Sequence, residues 1–193
     1  MHKKELRDLF ISIVALGVIF SISDLSLTNL VASLFAVGLA FLCHELAHRE
    51  TARKFGAHAT YRIWPTGLLI ALVLGVISGG RIIFAVPGVV YISAVKVARW
   101  KTEYTSLKNE EYGLISVAGP LANLVLSLVF LAFNSLYSWN FFAMAAMINI
   151  YIAFFNLLPV PPFDGAKVMR WDRKTWAMMF LAALVGLIGT WFL

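Results

Sequence analysis

The apolar positions of this chain fall into long blocks rather than alternating stripes. Residues 9–23, 30–48, 114–136, 141–158 and 176–193 are each dominated by aliphatic and aromatic side chains. At about 1.5 Å per residue these blocks match a hydrocarbon core of about 30 Å, the first only marginally. They predict about five transmembrane helices. Tyr137, Trp139, Trp171 and Trp176 stand at predicted span ends, where amphipathic rings favour the membrane interface. Residues 67–92 break the pattern. The first part, 67–80, reads as a short apolar helix. Residues 82–92 are β-branched and aromatic, with Pro87-Gly88 suited to a turn, and 59–64 are a second candidate strand. A lone strand in lipid leaves its backbone unpaired, so these pieces must pair with each other or be covered by helices.

Composition strengthens this reading. The chain is 193 residues long, 61% hydrophobic and only 13% charged, with a mean hydropathy of +0.83. A soluble domain of this size would expose too much apolar surface. No linker, repeat or low-complexity run divides it, so one domain over 1–193 is expected. The single cysteine, Cys43, excludes an intramolecular disulfide.

The net charge of +6 matters chiefly through its placement. Basic residues cluster at Lys3, Lys4 and Arg7; at Arg49, Arg53, Lys54 and Arg62; at Lys96, Arg99, Lys101 and Lys108; and at Lys167, Arg170, Arg173 and Lys174. The connections 23–29 and 135–140 carry no Lys or Arg. The positive-inside rule puts the four groups, and the N-terminus, on the cytoplasmic side of the cell membrane. Such short groups flanking apolar runs report topology, not nucleic-acid binding. Residues 9–22 also have the length of a signal-peptide core, with a small-x-small pattern at Ser21-Ile22-Ser23; a retained first helix is the expectation.

The chemistry is concentrated in His44, Glu45 and His48, an H-E-x-x-H motif at the end of the second apolar block. Residues four apart share a helix face, so both imidazoles can address one ion while Glu45 stands beside it to handle a water proton. Ionisable groups at membrane depth are costly and usually functional. His44 lies about 21 Å along its helix from the outer start, nearer the cytoplasmic face. If 67–92 crossed the membrane once, the end of the fourth block would be carried to the far side. A re-entrant or hairpin path keeps every basic group cytoplasmic and brings that end beside the histidines.

A zinc-type site needs a third protein ligand. The acidic candidates are Glu50, Glu103, Glu110, Glu111, Asp164 and Asp172. Asp164 is the best placed, because Pro159, Pro161 and Pro162 break the helix and allow the chain to fold back. Taken alone, Asp164-Gly165 also reads as an ordinary turn.

Three stretches in order make the chain resemble the site-2 protease family of intramembrane zinc metalloproteases. They are His44-Glu45-Leu46-Ala47-His48, Ala118-Gly119-Pro120-Leu121-Ala122-Asn123, and Asn156-Leu157-Leu158-Pro159 through Asp164-Gly165. Together they span a core of roughly residues 30–167. The resemblance implies one zinc ion held by His44, His48 and Asp164, Glu45 as catalytic base, and Asn156 in substrate binding. It implies transmembrane protein substrates cleaved within the bilayer. Gly119-Pro120 would serve close helix packing. Ala166 departs from relatives that carry a second glycine after Asp-Gly, and the chain has no room for the extra regulatory domains of some members.

Hydrolysis in a membrane requires the substrate helix to unwind. An edge within 82–92 is expected to accept the unwound segment as an added strand. Two rival classes fit less well. A transporter lined by Asn123, Asn149 and Asn156 leaves the H-E-x-x-H motif unexplained, and an inactive zinc scaffold has no use for Glu45.

Overall fold

The computed structural model describes residues 3–81, 83–93, 95–98, 101–104 and 107–190, with backbone alone for 95–98 and 101–104. Among these residues the order is α1 (Lys3–Ser21), α2 (Leu27–Lys54), β1 (His58–Ile63), α3 (Pro65–Ile77), β2 (Gly88–Ser93), β3 (Val95–Ala98) and β4 (Lys101–Tyr104). There follow α4 (Asn109–Tyr137), α5 (Asn140–Asn156), α6 (Asp164–Trp171) and α7 (Arg173–Gly189). The protein is mostly helical. Two helices, α2 and α4, are long and apolar enough to cross a membrane, while α3 and α5 are shorter apolar helices. Ile82, the first residue of the expected strand, lies outside the described residues, as do Leu193 at the end of the last block and the Glu103 side chain.

Local chemistry sets the helix ends. Ser26 caps α2 by accepting the Asn29 N–H at 3.3 Å. Glu111 accepts the Lys108 N–H at 2.8 Å at the start of α4. Asp172, a ligand candidate in the sequence, caps α7 instead: its carboxylate takes the Thr175 hydroxyl at 2.5 Å and the Thr175 N–H at 2.9 Å. Those bonds hold the Asp172 carboxyl below its ordinary pKa. α1 begins well before residue 9 because Glu5 and Asp8 are themselves buried.

The centre of the molecule is α2, α4 and α5 packed side by side, with α1 and β1 against α2 and with α6 and α7 on the far side. Ala36, Val37, Ala40, Ile115, Ala145, Ile148 and Ile152 are fully buried between these helices. Outer faces stay apolar: Leu27, Val31, Phe35, Leu42 and Leu46 on α2 and Val125, Leu128 and Leu136 on α4 are exposed. Such continuous apolar surface suits lipid rather than water.

Strands β1 and β2 pair antiparallel, with Ile63 opposite Gly88 and His58 opposite Ser93. The two ends of the intervening 64–87 segment are therefore adjacent, so the chain that leaves through α3 comes back to the sheet. Its 13 residues rise about 20 Å, short of a full crossing, as a hairpin path requires. The expected turn at Pro87-Gly88 is absent. Pro87 instead accepts the Trp64 N–H at 2.8 Å, extending the ladder, and β2 starts at Gly88 rather than at residue 82. The chain needs no reversal there because by Pro87 it has already been brought back alongside β1.

That bond fixes which strand groups face outward. Antiparallel pairs alternate between bonded and non-bonded positions. With Trp64 and Pro87 bonded, 62/89, 60/91 and 58/93 point inward, whereas the backbone groups of 63/88, 61/90 and 59/92 point away from the partner strand. The contacts agree: the Tyr61 N–H reaches Glu5 Oε1 at 3.3 Å on the β1 side, and the Val90 carbonyl reaches Lys167 Nζ at 3.0 Å on the β2 side.

Candidate metal centre

His44 and His48 lie one turn apart on the inner face of α2, both buried. Their rings meet edge-on at 4.6 Å between centroids, and their Nε2 atoms are 3.0 Å apart. Asp164 is the first residue of α6. Its Oδ2 sits 3.0 Å from His48 Nε2 and 3.6 Å from His44 Nε2. A residue over a hundred positions downstream thus closes the cluster. Asp164-Gly165 is no free turn but the opening of a helix pressed under the end of α5. A Cβ at Gly165 would overlap the Leu157 carbonyl, so only glycine permits this approach.

The far nitrogen of each imidazole is occupied. His48 Nδ1 donates to the Ile115 carbonyl at 2.7 Å. Asn123 donates from Nδ2 to the Ala40 carbonyl at 3.2 Å and to Asn149 Oδ1 at 2.9 Å. Its Oδ1 therefore faces His44 Nδ1, which donates to it at 2.5 Å. With each neutral ring carrying its proton on Nδ1, the two Nε2 lone pairs and a carboxylate oxygen converge on one point. Three acceptors this close repel one another unless a cation lies among them. Their separations match the spacing of about 3.3 Å between ligands on a tetrahedral zinc with bonds of about 2 Å. The donor set fits a metal, and His44, His48 and Asp164 form the one such group among the described residues.

α4 closes the cluster from the side. A Cβ on Gly119 would overlap His48 Nε2 and lie 2.6 Å from His44 Nε2. Pro120 follows inside the helix, where it removes one backbone hydrogen bond. Glu45 is buried at the adjoining position of α2. Asn156 ends α5, and its amide donates to the Ile152 carbonyl at 2.9 Å within its own helix; no hydrogen bond among the described residues links it to the histidines. Glu50 pairs with Arg53 at 2.9 Å, and Glu110 and Glu111 lie in the first turn of α4, so none of the three joins the cluster.

Several contributors were not singled out as site residues in the sequence. Asn123 and Asn149 form a buried amide relay, although as asparagines on apolar spans they were visible. Lys167 donates to Asp164 Oδ1 at 2.9 Å. The Ile115 carbonyl has no signature, since every residue carries one.

An apolar helical bundle holding a buried His-His-carboxylate group, with a glutamate beside the first histidine, defines a membrane-type metallopeptidase. The model of peptidase family M50 matches residues 132–179. Relatives extend the likeness over nearly the whole chain. The Methanocaldococcus jannaschii protein named "Putative zinc metalloprotease MJ0611" is 40% identical over 186 residues, covering 93% of this chain and 90% of that protein. "Putative zinc metalloprotease YwhC" of Bacillus subtilis is 28% identical over 146 residues, 68% of this chain and 64% of its own length. No solved structure matches. The chain belongs to peptidase family M50, the site-2 protease family, and is a metalloendopeptidase of that type.

Proposed function

We propose that this protein is a zinc-dependent intramembrane endopeptidase that cuts transmembrane segments of membrane-protein substrates. The observation that carries the reading is the convergence of His44 Nε2, His48 Nε2 and Asp164 Oδ2 inside apolar helices, with Glu45 at the next position. His44, His48 and Asp164 would hold one zinc ion. Bound zinc supplies Lewis acidity to a water and to the scissile carbonyl. Glu45 would take the proton of the attacking water and return it to the departing amine. Burial of Glu45 limits competition from bulk water for that proton. Asn156, by its place in the family motif, binds substrate near the reacting bond.

About five helices (α1, α2, α4, α5 and α7) span the membrane, with the N-terminus cytoplasmic. His44 stands about 25 Å from the start of α2 and about 15 Å from its end, so water has a shorter path from the basic side. The outward groups of β2 receive the unwound substrate as an added strand.

The test uses purified protein in detergent with a panel of single-span substrates, with and without chelator. Wild type cleaves, loses activity to chelator and regains it with zinc. Glu45→Gln retains zinc and does not cleave; equal cleavage by both removes Glu45 as the base. Full zinc content in a His44→Ala, His48→Ala double variant removes the site itself.

A further inference from the structure

We propose that Lys167 is a positioning residue that couples the outer edge of β2 to the third metal ligand, so that the state of the strand is felt at the metal. The inference rests on the zinc site proposed above and adds a residue to it.

The geometry is specific. α6 places Lys167 three residues after Asp164, on the same helix face. Its ammonium donates to Asp164 Oδ1 at 2.9 Å and to the Val90 carbonyl at 3.0 Å. Asp164 thereby divides its two oxygens: Oδ1 on Lys167, Oδ2 toward His48 and His44. Without that donor the carboxylate is free to rotate and to present either oxygen, or both, to the imidazoles. The Lys167 side chain is 15% exposed, and a lysine buried this far is costly unless its charge is paired. Here it is paired with the one carboxylate of the cluster.

The second acceptor gives the contact its meaning. The Val90 carbonyl points away from β1, on the edge where an added strand would bond. Lys167 holds that edge in fixed relation to Asp164. Ordering of β2 therefore orders Lys167, and Lys167 orders the carboxylate. Residues tying a metal ligand in place typically change metal affinity 10- to 100-fold when lost.

The full-length protein in detergent is compared with Lys167→Met and Lys167→Arg. Zinc affinity is measured by chelator competition, kcat and KM on a single-span substrate, and backbone hydrogen exchange in 88–93 with and without zinc. Lys167→Met is expected to weaken zinc binding about 10- to 100-fold and to lower kcat when zinc is saturating. Lys167→Arg, which keeps charge and donors, restores most of the affinity. Zinc slows exchange across 88–93 in the wild type, and Lys167→Met abolishes that slowing. Wild-type zinc affinity and kcat in a folded Lys167→Met overturn the proposal. Should that variant not fold, the wild type decides: exchange in 88–93 indifferent to zinc also overturns it. A wild type that binds no zinc would instead defeat the metal site, which separates the two failures.

Discussion

Replacing Gly119 by alanine adds one methyl group at the most crowded point of the site. That carbon would overlap His48 Nε2 and stand 2.6 Å from His44 Nε2 and 2.8 Å from His44 Cδ2. Ordinary contacts between such atoms are about 3.5–4 Å, so the rings or α4 must retreat by about 1 Å. The rings have little freedom, because Asn123 and the Ile115 carbonyl grip their Nδ1 atoms at 2.5 and 2.7 Å. α4 has little more, being wedged between α2 and α5. Overpacking of this kind typically destabilises by about 1–3 kcal/mol, which leaves a folded protein. A misplacement of about 1 Å at a reacting centre costs on the order of 100-fold in rate. Gly119→Ala is therefore expected to melt as one cooperative species, to bind zinc at least about 10-fold more weakly, and to lose about 100-fold in kcat/KM. Chelator competition and cleavage of a single-span substrate measure the two effects. Wild-type values for both in a folded Gly119→Ala would refute the close approach of α4 to the imidazoles.

Two further substitutions probe the surroundings. Asn123→Leu should lower zinc affinity about 10- to 100-fold, whereas Asn123→Asp, which keeps an acceptor for His44 Nδ1, should lose less; equal losses in chelator competition would mean that the acceptor is not what matters. The strand register separates two neighbouring prolines: Val89→Pro breaks a bond to β1 and should destabilise the sheet in a thermal melt. Val90→Pro removes only an outward N–H and should raise KM while leaving the melt unchanged, and unaltered cleavage by Val90→Pro would argue against strand addition.

The long helices were legible because membrane-length apolar blocks need no tertiary information. Their starts were less so. α1 begins at Lys3 rather than near residue 9, since Glu5 finds its partners Arg49 and Tyr61 on α2 and β1, and Asp8 adds Arg62 of β1 to its neighbour Arg7. The motif gave His44 and His48 through local helical periodicity. Asp164 was the best placed of the acidic candidates because the prolines let the chain fold back, but an Asp-Gly pair alone reads as a turn, and the family resemblance made the choice specific. What makes it a helix start is the Leu157 carbonyl lying where any larger residue than Gly165 would collide. Asn123 had an obvious oddity, a polar amide on an apolar span, but its direction depends on Ala40 and Asn149 from two other helices. Such distant pairings leave no periodic trace.

The Glu5 carboxylate has an effect beyond holding Arg49. By accepting the outward Tyr61 N–H it plugs one flank of a two-stranded ribbon that would otherwise be open on both sides. Growth of the ribbon by another backbone is then left to the β2 flank, where Lys167 holds the Val90 carbonyl and would have to yield it. A helix that resembles a disposable leader thus makes the ribbon one-sided, guarding it against the runaway edge-to-edge association to which bare strands are prone.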